Sequence, residues 1–223
     1  MHHLPLTRIQ KLISQRMLKS KLSKPCFYVE SMADVTQLLA IRPKLRKSLG
    51  VRITTNAFYI RAIGLASKAY PLVSGTLDGD CIRLADAINV GFAVNAPQGL
   101  VVPVVKNACD KTLPQIAREE KLLTDKARDN KLTLVEIEGE TIALSNLGAY
   151  GIDSFIGIVP PPTSTILSVG NADPVIAHSN GEFVVRKQVC LSLAADRRVV
   201  NEIYAAQFLG FIKEQLENPQ RLT

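Results

Sequence analysis

Apolar residues recur along this chain in two periods, and the switches between them mark out its elements. Ile9, Leu12, Ile13 and Met17 are spaced as one face of a helix. Thr7-Arg8-Ile9-Gln10 precedes them as a capping box, in which Thr7 and Gln10 each satisfy a backbone group of the first turn. Pro25 ends that helix, and Cys26 to Ala33 reads as a strand. Asp34 then caps a second helix carried by Leu38, Leu39, Leu45 and Leu49, bent or restarted at Pro43 and stopped by Gly50. A third helix starts at Thr54, Thr55 or Asn56 and runs through Phe58, Ile60, Ala62, Ile63 and Ala66 to Pro71. It is apolar nearly all round, which predicts a buried helix. Thr76 to Ile82 predicts a hairpin that turns at Asp78-Gly79.

Two Val-rich stretches follow, Ile88 to Asn95 and Leu100 to Val105, joined by Ala96-Pro97-Gln98-Gly99. Their composition predicts central strands. Thr112 caps a fourth helix through Ile116, Leu122, Leu123 and Ala127. Strands are expected at Thr141 to Ser145 and Thr165 to Val169, with turns at Gly170-Asn171 and Asn180-Gly181. Val189, Leu191, Leu193 and Ala195 then alternate with Cys190, Ser192 and Ala194, so both faces of that strand are expected to be buried. The strand ends in a polar elbow, Asp196-Arg197-Arg198-Val199-Val200-Asn201-Glu202. The elbow opens a helix through Ile203, Ala206, Gln207, Gly210, Phe211 and Glu214, widened by Phe208, Leu209, Ile212 and Leu216 and followed by Pro219.

Hairpins beside crossovers imply an α/β two-layer sandwich, with a central mixed sheet and helices packed on it. Neither repeat nor linker divides the chain, so residues 1–223 are expected to form a single domain. Neither common Gly-rich phosphate loop is present.

Charge adds little to that picture. The net charge of +7 is spread, and its densest block, Arg42 to Arg52 with Lys44, Arg46 and Lys47, reads as a solvated helix face. Phosphates of a nucleotide-like ligand, or an acidic carrier domain, are the alternative partners for it. Basic stripes with interleaved aromatics are lacking, so no nucleic acid is expected. Runs of about 18 apolar residues are also lacking, so no membrane span is expected. The start, Met1-His2-His3-Leu4-Pro5, does not read as a secretory signal. The four cysteines, Cys26, Cys81, Cys109 and Cys190, show no paired spacing and read as buried free thiols rather than disulfides or a metal site. Cys190 lies near the elbow, but His178 falls in a predicted turn and offers it no base, so core packing is expected.

The elbow resembles the Asp-His-Arg-Val-Val-Asp-Gly signature of the dihydrolipoyl acyltransferases, the core components of 2-oxoacid dehydrogenase complexes. Chloramphenicol acetyltransferases share its His-x-x-x-Asp-Gly kernel. Further stretches match in family order: Arg8-Ile9-x-x-x-Ile13-x-x-Arg16-Met17, Ala33-Asp34-Val35-Thr36, Gly99-Leu100-Val101-Val102-Pro103-Val104-Val105, Ile142 to Gly148, and Pro161-Pro162-x-x-x-Ile166-Leu167. The likeness runs from Pro5 to about Leu222, and it implies the chloramphenicol acetyltransferase-like fold. It also implies a homotrimer assembling into a larger cubic or icosahedral core, in a bacterial cytoplasm or mitochondrial matrix. Each active site would lie in a channel between neighbouring subunits. Coenzyme A and dihydrolipoyl-lysine would be its substrates, with no metal. Lipoyl domains and the partner dehydrogenases of the complex would be its partners.

Site roles follow residue by residue from the resemblance. Ser145 matches the serine whose hydroxyl stabilises the tetrahedral oxyanion, the alternative being a strand-end turn serine. Arg16 matches the arginine that interacts with the motif's Asp; that Asp position holds Asn201, to which Arg16 can still hydrogen-bond. Arg197 stands where the family has its general base His, and Glu202 where it has Gly. An arginine stays protonated at working pH and cannot accept a thiol proton. Glu202 is expected to pair with Arg197 or Arg198. In this the chain resembles the dihydrolipoamide dehydrogenase-binding protein of eukaryotic pyruvate dehydrogenase complexes, in which the His is replaced and the Gly is acidic. The expectation is a core component whose transferase chemistry is impaired or lost. The alternative is a working transferase in which Arg197 favours a thiolate by its charge.

Overall fold

In the computed structural model, which describes residues 3–179 and 181–223, eleven strands and six α-helices alternate along the chain. The turn expected at Asn180-Gly181 lies in part outside the described residues, since it includes Asn180. The main sheet has seven strands. Six run in the order β1 (Cys26–Asp34), β11 (Glu182–Asp196), β9 (Thr165–Val169), β8 (Ile142–Asn146), β4 (Val90–Phe92) and β7 (Val104–Val105), and β10 (Asp173–Ser179) pairs with β11. β8 runs parallel to both β9 and β4, whereas β11 is antiparallel to β1, β9 and β10. This is the mixed sheet that the element order implies.

The two sheet faces differ in chemistry, and the register says how. Leu144, Leu167, Leu193 and Val29 form one cross-strand row. They face the main core with α3 (Thr55–Ala69) and α6 (Glu202–Glu217), whose Phe58, Ile60, Ile63, Phe208 and Ile212 are fully buried. α3 is buried nearly all round, as its composition predicts. The next row, on the opposite face, is Ser145, Ser168, Ser192 and Glu30. A small apolar cluster, Ala143, Val159, Ile166 and Ala194, packs on that side. α1 (Arg8–Ser23) lies there, tied by Ser20 to the carbonyl of Val159 and by Arg16 Nη2 to the carbonyl of Pro161 at 3.0 Å.

Local signals set most boundaries. Thr7 and Gln10 close a capping box on α1, as do Thr112 and Gln115 on α4 (Leu113–Arg128). A third box, Thr133 with Glu136, opens the four-residue α5 (Leu134–Ile137). Thr54 caps α3 through the Ala57 N–H at 3.1 Å. Gly50 ends α2 (Thr36–Leu49) in the left-handed region at φ 63°, with Pro43 inside the helix. Asp34 is displaced by one residue from the expected cap. It is the last residue of β1, Val35 holds the cap position, and the Asp34 carboxylate takes the Thr36 N–H at 2.9 Å.

The stretch 88–105 departs most from expectation. Each predicted strand breaks in two, giving β4 and β5 (Val94–Ala96), then β6 (Gly99–Val101) and β7. β5 and β6 make a separate hairpin, and β7 is the sheet edge rather than a central strand. Pro103 between β6 and β7 has no N–H to give a ladder, and its carbonyl instead accepts from Phe92 N at 3.0 Å. The hairpin of β2 (Thr76–Asp78) and β3 (Cys81–Arg83) forms as expected, but its loop residues are Gly79 and Asp80. Cys81 is exposed and Cys26 and Cys109 are half-buried, so only Cys190 fits the expected buried thiol; all four are free. His178 lies in β10, edge-on to Phe183, and not in a turn.

Candidate active site

Ser145 sits one residue from the end of β8, on the polar face of the sheet. Beside it is a cavity of about 460 Å³, walled by Ile13, Arg16 and Met17 of α1, Leu100 and Val101 of β6, and Ile158 and Pro160 of the crossing loop. Among the described residues, no hydrogen bond engages the Ser145 hydroxyl, so it is free to donate into the cavity. Its neighbours in the row are committed. Ser168 Oγ accepts the Gly157 N–H at 3.0 Å, and Ser192 Oγ donates to the Glu30 carboxylate. Asn146, next along, bonds Asn56 Oδ1 at 2.8 Å and takes the Gly148 N–H at 2.9 Å, which fixes the strand end.

Glu140 also lines this cavity, and sequence reasoning missed it. Its Oε2 is buried and, among the described residues, has no hydrogen-bond partner. Burial pushes the carboxyl up to about 7, although Arg16, Lys106 and Lys24 pull the other way. A carboxyl raised on folding stabilises the protein below its unfolded-state value, and that contribution is lost as pH rises through about 7. Replacing Glu140 with Gln is therefore expected to raise the melting temperature above pH 7 relative to the parent. The difference should vanish towards pH 4, as read from thermal melts across pH.

The elbow lies elsewhere. β11 ends at the buried Asp196, whose carboxylate takes a bidentate pair from Arg198, Nε to Oδ1 at 2.9 Å and Nη2 to Oδ2 at 2.7 Å. The Asp196 carbonyl accepts from both Val199 N and Val200 N at 3.0 Å, forming a tight turn. Arg197, exposed on that turn, donates Nε to Glu202 Oε1 at 2.7 Å. The expected pairing of Glu202 is thus with Arg197, because Asp196 already holds Arg198. Asn201 caps α6, its Oδ1 taking the Tyr204 N–H at 2.9 Å. Among the described residues the expected Arg16–Asn201 bond is not made within one copy of the chain, and Arg16 is held by Pro161 instead.

Ser145 and Arg197 are likewise apart. Ser145 shares a row with Ser192, two strands away, and Arg197 lies five residues beyond Ser192. That is ~16 Å along the strand and ~10 Å across the sheet. One copy of the chain brings Ser145, Arg16 and Glu140 to one cavity and leaves Arg197 and Asn201 on a separate exposed corner.

The whole chain, residues 1–223, matches the family model for the 2-oxoacid dehydrogenases acyltransferase (catalytic domain). The chain belongs to this family. It is similar to the dihydrolipoyllysine-residue acetyltransferase component of the pyruvate dehydrogenase complex from Rickettsia felis, 37% identical over 219 residues, 96% of this chain and 53% of the relative. It is also similar to the mouse mitochondrial pyruvate dehydrogenase protein X component, 34% identical over 224 residues, 98% of this chain and 44% of the relative. The chain thus spans about half the length of these curated relatives. Among solved structures, the cubic core of the pyruvate dehydrogenase multienzyme complex superposes with a TM-score of 0.94 at 30% identity, covering 100% of this chain and 93% of that one. A chloramphenicol acetyltransferase superposes with a TM-score of 0.52 at 14% identity, covering 92% of each chain, a likeness of fold. The family and fold read from the elbow and its companion stretches hold.

Proposed function

We propose that this chain is a trimer-forming core component of a 2-oxoacid dehydrogenase complex whose acyl transfer between dihydrolipoyl-lysine and coenzyme A is strongly impaired. The observation that carries the reading is the elbow. Arg197 occupies the base position, and its guanidinium, which donates to Glu202, has no lone pair with which to accept a proton. General-base catalysis typically contributes about 10²–10⁴-fold, and the elbow supplies none of it. Ser145 retains the oxyanion role, because its hydroxyl is free and faces the cavity. The separation of Ser145 from the elbow supports a site completed by a neighbouring copy, as in a trimer. The chain's main work is then architectural. It builds a core and holds lipoyl domains and partner dehydrogenases around it, in a bacterial cytoplasm or mitochondrial matrix.

Two measurements test this. Sedimentation of the purified chain is expected to give trimers or multiples of them, and a monomer would overturn the reading. Ser145→Ala is expected to lower any acetyl transfer from acetyl-CoA to dihydrolipoamide by about 10²–10³-fold, the usual effect of losing one oxyanion donor. An unchanged rate would remove Ser145 from the site.

A further inference from the structure

We propose that Glu140 is a proton-accepting catalytic residue of the Ser145 cavity and carries the residual acyl transfer that the elbow cannot support. The inference deepens the function proposed above and rests on its assignment of substrates.

The sheet register supplies the geometry. A Cβ built on Gly91 would stand 2.6 Å from Glu140 Oε2, so the carboxylate occupies the space above Gly91. Gly91 pairs with Ala143, which shares the polar face of β8 with Ser145 two residues on. Two residues of strand (~6.6 Å) and one strand spacing (~4.8 Å) put the carboxylate on the order of 8 Å from Ser145. That gap is the length of a reacting thioester. A hydrogen bond from Ser145 to the oxyanion takes ~2.8 Å. The carbonyl, the attacking sulfur and its proton on Glu140 span the rest.

The cavity also suits the task. Its walls are largely apolar, and Oε2 is buried without a partner among the described residues, so its lone pairs are free for an incoming proton. The charged groups facing Glu140 are Arg16 from α1, Lys24 just beyond α1, and Lys106 just beyond β7. Lys24 and Lys106 are bound to the carbonyls of Thr163 and Glu138, and Arg16 to that of Pro161, so none forms a hydrogen-bonded pair with the carboxylate. With burial dominant, Glu140 titrates at about 7, where a carboxylate is both present and basic enough to act on a thiol.

The step balances. The Glu140 carboxylate takes the proton of the attacking thiol as the sulfur–carbon bond forms, and the carbonyl electron pair moves to oxygen under the Ser145 hydroxyl. Collapse restores the carbonyl and breaks the original carbon–sulfur bond. The departing thiolate then takes the proton back from Glu140.

The test is acetyl transfer from acetyl-CoA to dihydrolipoamide by the assembled chain between pH 5.5 and 9, for the parent and for Glu140→Gln. The parent rate is expected to rise through about pH 7 and level off. Glu140→Gln should be slower by at least about tenfold at pH 7.5 and rise only near pH 8.5, where free thiols ionise. Gly91→Ala, which displaces the carboxylate without removing it, should act in the same direction. Equal rates and profiles in the parent and Glu140→Gln would overturn the proposal. So would the absence of transfer from a correctly assembled parent, an outcome that leaves the core-building function intact. Failure to assemble would instead count against that function, and the proposal would fall with it.

Discussion

Arg197→His is expected to raise acetyl transfer from acetyl-CoA to dihydrolipoamide by about 10²–10⁴-fold at pH 8. The side chain is exposed on its turn, and among the described residues Glu202 is its one side-chain partner, so the exchange disturbs no packing. Imidazole titrates near pH 6.5 and is a neutral acceptor at pH 8, whereas guanidinium has no lone pair to offer. Glu202 is held below the ordinary carboxylate range, by its own backbone N–H first and then by Arg197, so it stays charged near the new imidazole and favours its protonated form. Adding Glu202→Gly should therefore move the pH optimum of Arg197→His downwards. A variant that assembles normally and shows no gain would mean that the cavity, and not only the base, is lost.

Phe208→Ala is expected to destabilise the chain by about 3–5 kcal/mol. Phe208 is fully buried at the centre of α6, and its ring meets Tyr70 edge-on at 6.4 Å. Tyr70 also meets Tyr204 at 5.4 Å and Phe211 at 6.0 Å, so the cavity opens inside one aromatic cluster that joins α6 to the end of α3. For a protein of this size, each kcal/mol moves the melting temperature by roughly 2–4 °C, so the fall should be about 6–20 °C. Because α6 carries the Asn201 cap, loss of its anchorage also loosens the elbow. A melting temperature within about 2 °C of the parent would show that α6 does not depend on this packing.

These two positions illustrate what is legible in the sequence. Phe208 is read as apolar-face material from helical spacing alone, and the structure buries it. Ile203, placed on the same face, is exposed, because the buried stripe runs through Ala205, Phe208, Leu209, Ile212 and Leu216. The capping box at Thr7 is legible because both partners lie within one turn; at Thr112 the sequence shows the cap, and the structure adds Gln115 as its reciprocal partner. β9 and the end of β11 were readable because strands buried on both faces carry long apolar runs. The region 88–105 was not, since its breaks depend on where β4 and β7 meet the sheet and on the missing N–H of Pro103. Asn180-Gly181 just after it makes His178 read as a turn residue, while its strand conformation comes from pairing with Phe183. Only the family resemblance singles out Arg197, Asn201, Ser145 and Arg16; local pattern leaves each a surface or turn residue. Glu140 gave no signal at all. One Glu between Gly139 and Thr141 is ordinary in a loop, and only the fold, which seats its carboxylate over Gly91, brings it to the cavity that Ser145 lines.

The claim that the elbow has lost its base is tested most directly by comparing acetyl-CoA to dihydrolipoamide transfer in this chain and in a family member with His at the Arg197 position, under identical conditions. A rate at least about 10²-fold below that of the His-bearing relative is the expected result. A rate within about tenfold of the relative's would contradict it and make Arg197 itself part of a working site.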